Sequence, residues 1–60
     1  MEAFEKLKAL VVQAEPDVVK VDESNKAAGT RVRKFMQEIK GAAQEVRIKV
    51  LEAKAAPPQQ

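Results

Sequence analysis

Val21-Asp22-Glu23-Ser24-Asn25-Lys26-Ala27-Ala28 interrupts an otherwise even run of helix-forming residues. Asp22, Ser24 and Asn25 are side chains that cap helix N-termini, three of them within four positions. Such a cluster can stop one helix and start the next. Read as a turn near 23–25, it divides the chain into a first helix near 2–22 and a longer second helix near 26–55. The expected fold is all-α, a helical hairpin over residues 1–56 followed by a disordered polar tail, Pro57-Pro58-Gln59-Gln60. One competing reading stays open. The apolar phase runs unbroken through residues 21–28, as it would in a single kinked helix that associates only between chains.

That phase is a heptad. With Phe4 as position a, the a and d positions are Phe4, Leu7, Val11, Ala14, Val18, Val21, Asn25, Ala28, Val32, Phe35, Ile39, Ala42 and Val46. Only Asn25 among them is polar. This alternating three-four spacing belongs to helices packed side by side. Pro16 lies within the first helix, where it removes a backbone donor and kinks or ends the segment. On the second helix the apolar face is wide: Ala28, Val32, Phe35, Met36, Ile39, Ala42, Ala43, Val46, Val50 and Ala53. A face that wide meets two neighbours. The first helix supplies one, through Phe4, Leu7, Val11, Val18 and Val21. A second copy supplies the other, so the hairpin is expected to dimerise into a four-helix bundle or coiled coil. The core and oligomer residues are then Phe4, Leu7, Val11, Val32, Phe35, Met36, Ile39, Val46 and Val50.

Sixty residues hold one small domain, marginal unless something staples it. There is no Cys for a disulfide or a thiolate metal site, and no His. The usual general base, thiol nucleophile and imidazole ligand are therefore all missing. No phosphate-binding glycine loop, zinc spacing or nucleophile elbow occurs. The expectation is a protein that is no enzyme, with no cofactor, no metal and no small-molecule substrate. Ala9-Leu10-Val11-Val12 is too short for a signal core or a membrane span, which reads as a cytoplasmic protein off the membrane.

The net charge of +2 hides a dipole. Residues 1–25 carry three Lys against six acids, a net of −3; residues 26–60 carry eight Lys or Arg against three Glu, a net of +5. Within the basic half, Lys26, Arg33, Lys40, Arg47 and Lys54 stand seven apart. On one helix they form a stripe about 42 Å long. Their i+4 neighbours are Thr30, Gln37, Gln44, Leu51 and Pro58, none of them acidic. Glu38, Glu45 and Glu52 run along the other flank, with Arg31 one heptad earlier. Lys34–Glu38 and Glu45–Lys49 are i,i+4 pairs by spacing. A long positive edge suits a polyanion such as duplex DNA. The plainer reading is a solvated face, neutralised across the hairpin by Glu5, Glu15, Asp17 or Asp22. Ile48 and Leu51 fall outside the apolar face and are expected to be exposed.

Ser24-Asn25-Lys26-Ala27-Ala28-Gly29-Thr30-Arg31-Val32-Arg33-Lys34 resembles a segment of the small bacterial linker-histone-like proteins, the chlamydial histone-type family. The opening Met1-Glu2-Ala3-Phe4-Glu5-Lys6-Leu7-Lys8-Ala9-Leu10-Val11 and the later Met36-Gln37-Glu38-Ile39-Lys40 are also similar to short members, so the resemblance reaches about Lys54. It implies a histone-like protein of the bacterial nucleoid that binds double-stranded DNA with little sequence preference and bridges or compacts it. Lys26, Arg31, Arg33 and Lys34 match the family's basic cluster; helical geometry adds Lys40, Arg47, Lys49 and Lys54. Longer relatives carry a Lys/Ala-rich tail where this sequence has Pro57-Pro58-Gln59-Gln60, so strong compaction by this chain alone is not expected. Two other functions compete. One is a structural or partner-binding helical oligomerisation module that binds no DNA. The other is a peripheral membrane helix, disfavoured by the absence of Trp and an Ala-rich apolar face.

Overall fold

The computed structural model describes residues 1–55. Two helices account for nearly all of them, α1 (Glu2–Asp22) and α2 (Lys26–Ala55), with no strand among the described residues. They pack against each other as a hairpin whose Cα trace measures 53 × 15 × 12 Å. The break at 23–25 is a true reversal, so the single kinked helix is excluded. The tail expected at 57–60 lies outside the described residues.

The reversal is tight because Asn25 serves both helices. At the end of α1 the Asn25 N–H donates to the Lys20 carbonyl at 3.0 Å, and the Ser24 N–H donates to Val21 at 2.9 Å. These two bonds form a Schellman closure, which requires a left-handed residue at the position of Ser24. Ser24 has φ of 66°. Asn25 then opens α2. Its side-chain Oδ1 accepts from the Ala28 N–H at 3.0 Å, and its carbonyl accepts from Gly29 at 3.3 Å. Orphan groups of both helix ends are thereby satisfied by one residue.

Pro16 lies inside α1, which continues through it to Asp22. The carbonyl left without a donor is that of Val12, four residues back, at a position 62% exposed. Water can take the place of the missing N–H there, so the helix survives.

The seam between the helices is lined by small side chains. Ala3, Ala14, Ala28 and Ala42 are buried, and no large side chain is fully buried. Leu7, Leu10 and Asp17 on α1, and Val32, Phe35, Ile39 and Val46 on α2, are half-buried beside them. On α2 this is the expected heptad stripe. On α1 it is not. The line facing α2 is Ala3, Leu7, Leu10, Ala14 and Asp17, while Phe4, Val11, Val18 and Val21 are all exposed. Relative to the expected phase, α1 is turned by roughly 50° about its axis. Alanines allow two helices a closer approach than valines do, and that contact sets the rotation. Met36 and Val50, expected in the core, are likewise exposed within the hairpin.

Candidate nucleic-acid interface

α2 carries the candidate site. Its 30 residues keep Lys26, Arg33, Lys40, Arg47 and Lys54 on one flank, all exposed. The stripe drifts by about 20° per heptad, because seven residues fall short of two full turns. Lys26 therefore points away from α1, and Lys54 lies nearer the seam. None of the five forms an ion pair among the described residues. Of the four acids expected to neutralise them, Glu15 and Asp22 form no ion pair among the described residues, and the other two go elsewhere. Asp17 meets Arg31 at 2.9 Å, and Glu5 meets Lys8 at 3.2 Å. α2 also begins with no acid in its first turn, so Lys26 adds positive charge to the positive end of the helix dipole.

The other basic residues singled out in the sequence part from the stripe. Arg31 lies on the Glu38/Glu45/Glu52 flank, its Nε donating to Asp17 Oδ1. Lys49 meets Glu52 at 3.5 Å. The pairs expected from spacing, Lys34–Glu38 and Glu45–Lys49, are not formed among the described residues. Exposed i,i+4 pairs are worth only about 0.3–0.5 kcal/mol, too little to dictate a rotamer. The role of Asp17 as the half-buried anchor of Arg31 was invisible in the sequence. The only cue was its position on the seam line, which a polar residue masks.

Phe4 was expected to be buried. It is 45% exposed, with the Lys8 ammonium 5.5 Å from its ring centre. Ile48 and Leu51 are exposed as expected, at 44% and 53%. Two shallow grooves complete the surface. One is lined by Met1, Glu2, Ala3, Lys6, Glu45 and Lys49, the other by Val21, Lys26, Gly29, Thr30, Val32 and Arg33. Neither gathers a nucleophile with a base. No cluster of three potential metal ligands occurs among the described residues. No described helix is long and apolar enough to cross a membrane.

The hairpin is a small all-helical fold with one long basic edge whose cations are unpaired among the described residues. The family match is specific. Residues 1–56 match the family described as Histone H1-like protein Hc1, and the chain belongs to that family. The resemblance read from residues 1–11, 24–34 and 36–40, and reaching about Lys54, is borne out. Membership makes the chain one of a DNA-binding, nucleoid-associated kind, whose business is packaging rather than catalysis. No curated protein and no solved structure matches it.

Proposed function

We propose that this protein binds duplex DNA without sequence preference through Lys26, Arg33, Lys40, Arg47 and Lys54. In a self-associated form it bridges or compacts the DNA of the bacterial nucleoid. The observation that carries the proposal is the stripe itself: exposed cations in line, each with no acidic partner among the described residues. Long, mobile cationic side chains neutralise phosphates and release counterions, which favours every sequence alike. Arg31, Lys34 and Lys49 lie off this line and supply at most a secondary contact. Self-association supplies the bridge, since two copies offer two edges.

Five neutralised phosphates give a log–log salt slope near −4.5 for a B-form duplex. Titration of a labelled duplex from low to moderate salt measures it. A flat response overturns the proposal. The oligomerisation module that binds no DNA draws on a separate observation, the exposed line of Phe4, Val11 and Val18. That reading predicts the same oligomer mass with and without DNA, and function unaffected by Lys40→Glu with Arg47→Glu.

A further inference from the structure

The hairpin leaves its larger apolar side chains outside. Phe4, Val11 and Val18 are 45%, 44% and 41% exposed, and Met36 and Val50 are 44% and 41%. Phe4, Val11, Val18 and Met36 lie about 60–100° round their own helices from the seam, and Val50 about 40°, all in the direction of increasing residue number. The two helices are right-handed and antiparallel, so these flanks fall on the same side of the hairpin. Arg31 and Asp17 lie in the opposite sense on their helices, and their contact at 2.9 Å marks the opposite side. One face of the hairpin is therefore a continuous apolar strip, completed by Ala43 and Gly29. No atom lies within 4 Å of where a Cβ on Gly29 would sit.

This strip is bordered by unlike charges. Glu15 and Asp22 edge it along α1, and the basic stripe edges it along α2. Where α1 and α2 lie side by side, the face is about 31 Å long, the rise of the 21 residues of α1; at the 15 Å width of the hairpin it supplies a little over half of the roughly 800 Å² each partner contributes to a standard interface.

We propose that a second copy of this chain covers the strip, with the twofold axis running along the helices, so that α1 of each subunit packs on α2 of the other. This rests on the self-association proposed above and specifies its face and direction. Two face-to-face arrangements obey twofold symmetry. With the axis across the helices, α2 lies on the partner's α2 and the two basic stripes confront each other. With the axis along them, levels are preserved. The Asp17–Arg31 contact sets that level, at residue numbers adding to 48. Glu15 then stands level with the partner's Arg33, and Asp22 with the partner's Lys26. Lys8, level with the partner's Lys40, is drawn back to Glu5 at 3.2 Å and to the Phe4 ring. Val18 comes level with the gap at the partner's Gly29. Unlike charges meet at the turn end of the bundle, where Lys26 and Arg33 are taken up by the partner's acids. Lys40, Arg47 and Lys54 keep the open end positive, so in this dimer the salt slope per chain falls from about −4.5 toward about −2.7.

The chain has no cysteine, so an introduced one is unique. Val11→Cys protein mixed with Met36→Cys protein, oxidised in the absence of DNA, gives a disulfide-linked heterodimer in excess of either homodimer. A predominant Val11→Cys homodimer overturns the geometry in favour of the crossed arrangement. A native mass of one chain for the unsubstituted protein overturns the interface altogether. Glu15→Arg and Arg33→Glu each weaken association about three- to tenfold, and together they restore it. Helical circular dichroism on each variant separates lost association from lost folding. Gel shifts on the same samples keep the two readings apart. A monomer that still binds DNA defeats only the interface, and a dimer that binds none defeats only the DNA reading.

Discussion

The Arg31 Nε stands 2.9 Å from the Asp17 Oδ1, fourteen residues apart in sequence, and this pair ties α2 to α1 on one side of the hairpin. Asp17 is the more enclosed partner, its side chain 14% exposed against 48% for Arg31. Losing Arg31 therefore strands a carboxylate that water reaches poorly. Losing Asp17 returns an arginine to solvent at little cost. Arg31→Ala should destabilise the hairpin by about 0.5–1 kcal/mol, more than Asp17→Asn does, with a clear coupling in the double-mutant cycle. Urea unfolding measures all four corners of the cycle. Equal and additive losses would show that the pair is only a surface contact.

Arg31 and Arg47 lie on different flanks of α2, so DNA binding should tell them apart. Arg47→Ala should flatten the log–log salt slope by about 0.9, the share of one phosphate. Arg31→Ala should leave the slope unchanged within error while lowering stability. The measurement is fluorescence anisotropy of a labelled duplex at several salt concentrations. Equal slopes for the two variants would move the contact away from the stripe.

The turn makes opposite predictions at adjacent residues. Ser24 holds φ of 66°, where a Cβ is strained and glycine is not. Ser24→Gly should raise stability by about 0.5–1 kcal/mol. Asn25 caps α2 through its Oδ1, so Asn25→Ala should lower stability by about 0.5–2 kcal/mol, and Asn25→Asp should retain most of it. Thermal melting followed by circular dichroism reads each change. For a domain of this size, 1 kcal/mol is about 4–8 °C.

Ala28 is 0% exposed on the seam between the helices, and its neighbour Ala27 faces water. Ala28→Leu should force the helices apart and cost about 1–3 kcal/mol. Ala27→Leu should change stability by no more than about 0.5 kcal/mol. Similar melting temperatures for the two variants would contradict the alanine seam.

Both helices, their ends and the break between them were legible because their causes are local. Asp22, Ser24 and Asn25 are cap residues wherever they stand, and Pro16 is tolerated or not by its own turn of helix. The seam of α2 was legible too, since Val32, Phe35, Ile39 and Val46 form one apolar line. The seam of α1 was not. Two apolar lines run side by side there, Phe4/Val11/Val18 and Ala3/Leu10/Ala14, and the first looks stronger because its residues are larger. The basic stripe was visible in the spacing. That Arg31 leaves it for Asp17 was not, because the partner comes from another helix.

Residue type and spacing thus determined by themselves that this chain is helical on either side of a break at 23–25, with a basic edge on α2. Only the tertiary structure decided that the break is a reversal, how α1 is rotated against α2, which cations stay unpaired and which apolar line is left facing outward. Helix formation is governed by groups within about four residues of one another. The rotation of one helix against another depends on how closely small side chains let the backbones approach and on where a charge from one helix finds its partner on the other.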